Sequence, residues 1–357
     1  MRSIIVASTR PYSGKTGICL ALIREVEERG LAVGYFKPYG TMPIEADGLA
    51  TDRDAYNVNR SLAEPGPLEA VCPVVRSRSF VEDILARRPV PGASEVKAAF
   101  VRASAGRAVM VVEGPSDMEE GVTAGLSICE MADMLDARVL ITEAVDGLRL
   151  PDALLHAREC LGDRLGGVVF NRVREPDRAA LLDHTVPFLE GRGVRTFGTI
   201  AHDPMLSSVT VREIIDELGG TVLCGEDHLD DLVESFMVGA MGQEKALRFF
   251  RRKARKAVVT GGDRADVQMA ALETSTSVLV LTGNQSPSPA VMGRACDLGV
   301  PMVLVDSDTL GAVEHLDLLF GHVRLHGPGK ADRMRQMFSE QVPVDALLGA
   351  LGITQPA

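Results

Sequence analysis

Near the start of the chain, Ser13-Gly14-Lys15-Thr16 sets a glycine, a lysine and a hydroxyl at the spacing that suits a phosphate group. Such a run works when a buried strand leads into a glycine turn and a helix begins at the lysine. Backbone N–H groups then face the phosphate oxygens, and the helix dipole adds to the attraction. Lys15 would neutralise the β and γ oxygens, and Thr16 would offer its hydroxyl to Mg²⁺. The competing reading is an ordinary strand–turn–helix with a solvated lysine. A lysine at a helix start is electrostatically unfavourable, however, unless an anion visits. The front of the loop departs from the usual G-x-x-x-x-G-K-[ST] pattern. Thr9 stands where the first glycine belongs, and Pro11 has no N–H to offer.

Further along, VVTGGDRADVQMAALE (258–273) reads as a strand, a glycine turn and a helix opened by Asp263. Gly261 and Gly262 permit close backbone approach, and the helix N-terminus presents free donors beside Arg264. LTGN (281–284) ends another strand in a similar way. If the two strands are neighbours, their C-terminal ends form one crevice, the usual ligand position in an open parallel sheet. A pair of well-capped turns is the plainer reading. Glu113 ends the run MVVEG, and a carboxylate at a buried strand end is costly unless a cation or donors meet it. It is either a metal-shell residue or a capping or ion-paired acid. The basic run RFFRRKARK (248–256) reads as a solvated helix end, and His315, His322 and His326 as surface or core histidines.

These residues need a scaffold, and the chain supplies one. Its 357 residues suit two domains, and 46% hydrophobic content is enough for a core in each. Aromatics make up 4% and Trp is absent, so those cores are aliphatic. Short β-branched runs at 3–8, 33–38, 108–114, 138–144, 166–173 and 196–201 alternate with helical patterns, the mark of a mainly parallel α/β fold. After about residue 222 the alternation restarts with runs at 234–240, 256–262, 277–283 and 301–306. The predicted domains are therefore 1–222 and 223–350, with the polar stretch CGEDHLDD (224–231) at the boundary. A net charge of −11 argues against a dedicated nucleic-acid or membrane-surface binder. The six cysteines are scattered without a C-x-x-C pair, which predicts buried free thiols in a reducing compartment. With no signal-peptide pattern and no apolar run of about 20 residues, a cytoplasmic location is expected.

The motifs STRPYSGKT (8–16), YFKPYGT (35–41), TDRDAY (51–56), MVVEG (110–114) and GVVFNRV (167–173) together resemble the dethiobiotin-synthetase family of P-loop proteins. A threonine at the position of Thr9 is normal in that family. The resemblance implies ATP and Mg²⁺ as cofactors, with Thr9, Ser13, Gly14, Lys15 and Thr16 around the phosphates. It implies Asn171 at the adenine edge, Lys37 at the γ-phosphate beside Lys15, and Thr16, Asp54 and Glu113 around the metal. Departures accompany it. The substrate loop after the strand is Glu113-Gly114-Pro115-Ser116-Asp117, where Pro115 removes a donor and Asp117 adds a negative charge. Arg10, Pro11 and Tyr12 replace polar and acidic residues in the phosphate loop.

In the second half, VGAM (238–241), VVTGGDR (258–264), AALETS (270–275) and SPSPAV (286–291) look like a DRTGG domain, a smaller α/β unit. The pairing resembles the N-terminal region of long phosphotransacetylases, whose acetyl transfer belongs to a further domain. It implies an ATP·Mg²⁺-binding regulatory or ligand-sensing protein. A small metabolite would bind at Gly261, Gly262, Asp263 and Arg264, and the chain would act as a homo-oligomer or as the partner of a metabolic enzyme. The alternatives are an ATP-dependent carboxylate-activating ligase of the dethiobiotin or cobyrinate-diamide type, and a scaffold that has lost its nucleotide.

Overall fold

The computed structural model describes residues 1–145, 149–321 and 329–353. The chain divides into two compact units, Met1–His202 with Ala331–Ala357, and Asp203–Lys330. The division predicted after residue 222 thus falls inside the second unit. Val211 and Ile214 of the helix Val211–Leu218 belong to that unit's core, which carries the structural boundary some 20 residues earlier. No composition shift marks the return of the C-terminal segment to the first unit. There Asp345 pairs with Arg29 at 2.7 Å, and Leu351 packs against Gly166.

Six parallel strands build the sheet of the first unit, in the spatial order Thr196–Ala201, Leu165–Val173, Ala137–Ala144, Arg2–Ala7, Val109–Glu113 and Val33–Phe36. Their apolar runs are buried on consecutive positions, as in RSIIVA, where only Arg2 is exposed, because helices cover both faces. Register brings the functional ends level. Val6 lies beside Glu113 on one side and Leu140 on the other, and Ala144 lies beside Asn171. An antiparallel hairpin, Pro43–Ala46 with Leu49–Asp52, sits outside the main sheet. It turns through Asp47 and Gly48, both at positive φ, and delivers Asp52 to the N-cap of the helix Arg53–Ser61.

The second unit has a five-stranded sheet, ordered Thr221–Cys224, Met302–Leu304, Thr276–Thr282, Lys256–Gly261 and Ser235–Val238. The first strand is antiparallel to its neighbour and the others are parallel. Side chains alternate between two cores. Val259, Val280 and Val303 face one layer, while Val258, Leu279 and Met302 face the other. The strands ending in TGG and LTG are neighbours, as the crevice reading required.

All six cysteines are free, but only Cys19 and Cys72 are buried; Cys160 and Cys296 are exposed, which corrects the expectation of buried thiols. In the basic run 248–256 the helix Gln243–Phe250 ends on the buried Phe250, and residues 251–255 follow as an exposed turn, so the solvated part lies mostly beyond the helix. Lys256 is instead fully buried, donating to Thr274 Oγ1 and the Ser275 carbonyl, and burial lowers its pKa to about 8. His315 is exposed, whereas His322 and His326 lie outside the described residues. Among the described residues no helix is long and apolar enough to cross a membrane.

Candidate functional site

The strand Arg2–Ala7 ends in a loop that wraps back to the helix Lys15–Glu28. Gly14 holds the turn with φ of 89°, and a Cβ there would meet Asn171 Nδ2 at 2.2 Å, so both conformation and space demand glycine. Asn171 Nδ2 in turn donates to the Ser13 carbonyl at 3.0 Å. The helix starts without a side-chain cap and without an acidic residue in its first turn. Its first main-chain bond is from Ile18 N–H to the Gly14 carbonyl. Among the described residues, the N–H groups of Gly14, Lys15, Thr16 and Gly17 therefore have no acceptor. Lys15 is buried at their side, and its Nζ donates to Ser8 Oγ at 2.7 Å and the Ser116 carbonyl at 2.8 Å, both neutral. Burial holds its pKa below the ordinary lysine value. A row of free donors, a helix N-terminus and a lysine bonded only to neutral atoms form a cradle that fits an anion.

The front of the loop is fixed by a residue that the sequence did not single out. Glu143, fully buried at the end of its strand, accepts from Thr9 N–H at 2.9 Å and Thr9 Oγ1 at 2.8 Å. It also accepts from Arg10 Nε at 2.7 Å and more loosely from Ser13 Oγ at 3.4 Å. Arg10 reaches the Ala144 carbonyl as well. Thr9, Arg10 and Ser13 are thus held by one carboxylate.

Next to the cradle lies a cluster of buried charges. Lys37 Nζ sits 2.8 Å from Asp52 Oδ1, 3.3 Å from Glu113 Oε1 and 3.4 Å from Asp54 Oδ2. Glu113 also accepts from Thr16 Oγ1 at 3.0 Å and Tyr35 OH at 2.9 Å. Burial opposes the charge of Lys37, but Glu113, Asp54 and Asp52 outweigh it and hold its pKa well above the ordinary lysine value. For Glu113, burial raises the pKa, with the two aspartates adding to it and Lys37 opposing. Asp52 goes the other way. Burial is outweighed by Lys37 and by main-chain N–H groups, and its pKa falls. Asp52, and not Asp54, is the nearest acid to Lys37, and a helix N-cap position in TDRD was the available signal. Asp54 and Glu113 thus converge on Lys37, and Thr16 joins them through Glu113. Three carboxylates against one ammonium leave negative charge that fits a cation. Among the described residues no group of three His, Cys, Asp or Glu side chains is itself arranged for a metal, so a cation here would also need the Thr16 hydroxyl.

The loop after Glu113 spends its donors internally. Gly114 N–H goes to the Val6 carbonyl at 3.0 Å, and Ser116 N–H to Glu120 Oε2 at 2.7 Å. Asp117 Oδ1 accepts from the N–H groups of Glu119 and Glu120.

In the second unit, Gly261, Gly262, Asp263 and Arg264 sit together between the strand Lys256–Gly261 and the helix Ala265–Leu272. Arg264 Nη2 donates to the Met241 carbonyl at 3.0 Å, and Gln268 Nε2 ties down the carbonyls of Gly261 and Gly262. What approaches Gly262 is the chain's own backbone, since a Cβ there would lie 1.7 Å from the Gln285 carbonyl oxygen. Gly262→Ala is therefore expected to cost about 1–3 kcal/mol or more through overpacking. Thermal unfolding checks it, and an unchanged melting temperature would show that the glycine serves something other than packing.

Comparison with known proteins adds the family. Residues 2–210, more than half of the chain, match the family model of an AAA domain. The chain belongs to that family. Residues 213–319 match the DRTGG domain. Among relatives, a phosphate acetyltransferase of Pseudomonas putida is 26% identical over 340 residues, 89% of this chain and 47% of that protein. The phosphate acetyltransferase of Deinococcus radiodurans is 26% identical over 383 residues, 99% of this chain and 52% of that one. The chain thus spans about half the length of the curated relatives it matches. Among solved structures, MinD of Aquifex aeolicus is 12% identical, with a TM-score of 0.35 over 58% of this chain and 84% of that one. The CBS and DRTGG domains of a Clostridium perfringens pyrophosphatase, solved with the activator diadenosine tetraphosphate, give 17% identity and a TM-score of 0.28. That match covers 38% of this chain and 68% of that one. The loop 8–16 and the Lys37 cluster both lie in the AAA domain, and the Gly261–Arg264 turn lies in the DRTGG domain.

Proposed function

We propose that the AAA domain binds ATP with Mg²⁺ and that the protein works as a nucleotide-responsive regulatory or ligand-sensing module. The observation that carries this reading is the row of N–H groups from Gly14 to Gly17, which has no acceptor among the described residues, beside Lys15. Lys15 and these donors would hold the phosphate chain, and Thr16, Asp54 and Glu113 would hold Mg²⁺, which neutralises phosphate charge when bound. Lys37 would keep the three carboxylates together and face the terminal phosphate. Asn171 would meet the adenine with the hydrogen-bonding capacity left after Ser13 is served. In the DRTGG domain, the Gly261–Arg264 turn would take a small metabolite, with the two sites coupled reciprocally.

Binding is favoured over group transfer by the loop 114–120. A carboxylate-activating ligase needs donors there for an anionic intermediate, yet Pro115 has none and the N–H groups of Gly114 and Ser116 are already engaged. The test is a calorimetric titration of ATP with Mg²⁺ into the wild type and Lys15→Ala, followed by an assay of ADP release with and without carboxylates. Wild type should bind, and Lys15→Ala should bind at least about a hundredfold more weakly, since charge-assisted bonds to phosphate are lost. No binding by the wild type would end the reading. ADP release that depends on a carboxylate would replace it with a ligase.

A further inference from the structure

Arg172 follows Asn171 at the C-terminal end of its strand and has φ of 54°. That left-handed backbone is uncommon for a residue with a side chain and, where held, often marks a functional position. Two bonds hold it. Asn171 Oδ1 accepts from Arg172 N–H at 2.9 Å, while Asn171 Nδ2 holds the Ser13 carbonyl. The consequence is that the Arg172 side chain comes up against the phosphate loop. Its Nε lies 4.0 Å from the place a Gly14 Cβ would occupy.

The guanidinium is partly buried, and burial alone pulls its pKa below the ordinary arginine value. Among the described residues no carboxylate, carbonyl or ring engages it. The other cations around the loop differ, since Arg10 pairs with Glu143, Lys37 with three acids, and Lys15 with Ser8 and Ser116. A charge withdrawn from water without an acceptor is costly unless a ligand supplies one. Arg172 reaches the loop at Gly14, the residue that opens the row of N–H groups for which the described residues supply no acceptor.

We infer that Arg172 is a binding residue for the phosphate chain of a nucleoside di- or triphosphate seated on the loop 8–16. The inference rests on the nucleotide reading and extends it to a residue outside the loop. A guanidinium suits the task because its planar fork of five donors meets two phosphate oxygens at once.

The experiment measures ADP and ATP affinity by calorimetry for wild type, Arg172→Gly, Arg172→Gln and Arg172→Lys, at two salt concentrations. Glycine accepts the left-handed backbone without strain, so that variant removes the charge while sparing the turn. Its melting curve provides the folding control. ADP and ATP affinity should fall about tenfold to a hundredfold in Arg172→Gly, with Arg172→Lys recovering part of the loss and Arg172→Gln none. The loss should shrink as salt is raised. Wild-type binding with unchanged affinity in Arg172→Gly overturns this inference alone. Recovery by glutamine equal to that by lysine also overturns it, because it shows a packing role. If the wild type binds no nucleotide, the nucleotide reading and this inference fall together.

Discussion

Lys37→Met is expected to destabilise the AAA domain by about 3–5 kcal/mol at neutral pH, the usual cost of breaking a buried ion pair from one side. Methionine matches the lysine stem in length and stays apolar, so little packing is lost. What disappears is the cation shared by Asp52, Asp54 and Glu113, of which Asp52 and Glu113 are buried. The pH dependence follows from the shifts. The raised pKa of Lys37 contributes stability that is complete below the unfolded lysine pKa and is lost as pH rises through the folded one. The lowered pKa of Asp52 contributes stability above the unfolded aspartate pKa, lost as pH falls through the folded one. Glu113 has the opposite sign to Asp52. Its raised pKa favours the fold at low pH and costs stability once the carboxylate must be charged. Without Lys37 that cost grows, and protonation relieves it. Urea unfolding at pH 7 and pH 5 should therefore show a penalty that shrinks on acidification. A penalty equal at both pH values, or below about 1 kcal/mol at pH 7, would show that the cluster is not held by the lysine.

Much of this scaffold is legible in the sequence because its signals are local. Six β-branched runs in the first unit gave strands near the expected positions, and glycine, lysine and threonine at 14–16 marked the helix start. The hairpin at 43–52 is harder to read. Its Asp47-Gly48 turn is a proper signal, but the flanking runs PIEA and LATD are four residues each, and the residues they bury are the polar Thr51 and Asp52, so no apolar alternation stands out. The unit boundary was misplaced for a similar reason, since the helix Val211–Leu218 is amphipathic and either sheet could have covered its apolar stripe. Glu143 shows the limit most clearly. It ends the run RVLITEA just as Glu113 ends MVVEG, yet its partners Thr9, Arg10 and Ser13 are 130 to 134 residues away, and only the parallel register of neighbouring strands unites them.

Glu143 also explains how a phosphate loop without its first glycine, and with Pro11 inside it, keeps a defined shape. Pro11 removes a donor and Tyr12 adopts φ of 60°, so the loop's own backbone does not fix its course. The carboxylate does so from outside by receiving a main-chain N–H, a hydroxyl and a guanidinium on its two oxygens. Arg10 is consequently bound to the scaffold, and the change at the front of the loop reads as reinforcement in place of glycine. Glu143→Ala is expected to cost about 3 kcal/mol or more in stability, because the Thr9 N–H and the Arg10 charge lose their acceptor together. Under the nucleotide reading it should also weaken ATP binding about tenfold or more, since the donors of residues 14–17 would no longer be held in place. Glu143→Gln keeps one acceptor and should fall between the two. Arg10→Ala adds a discriminating arm. If loop order depends on the pair, the Arg10→Ala, Glu143→Ala double variant will lose less than the sum of the single losses. Strict additivity would mean that each side chain acts alone. An alanine variant as stable and as competent in binding as wild type would leave the loop held by Gly14 and Asn171 without help from Glu143.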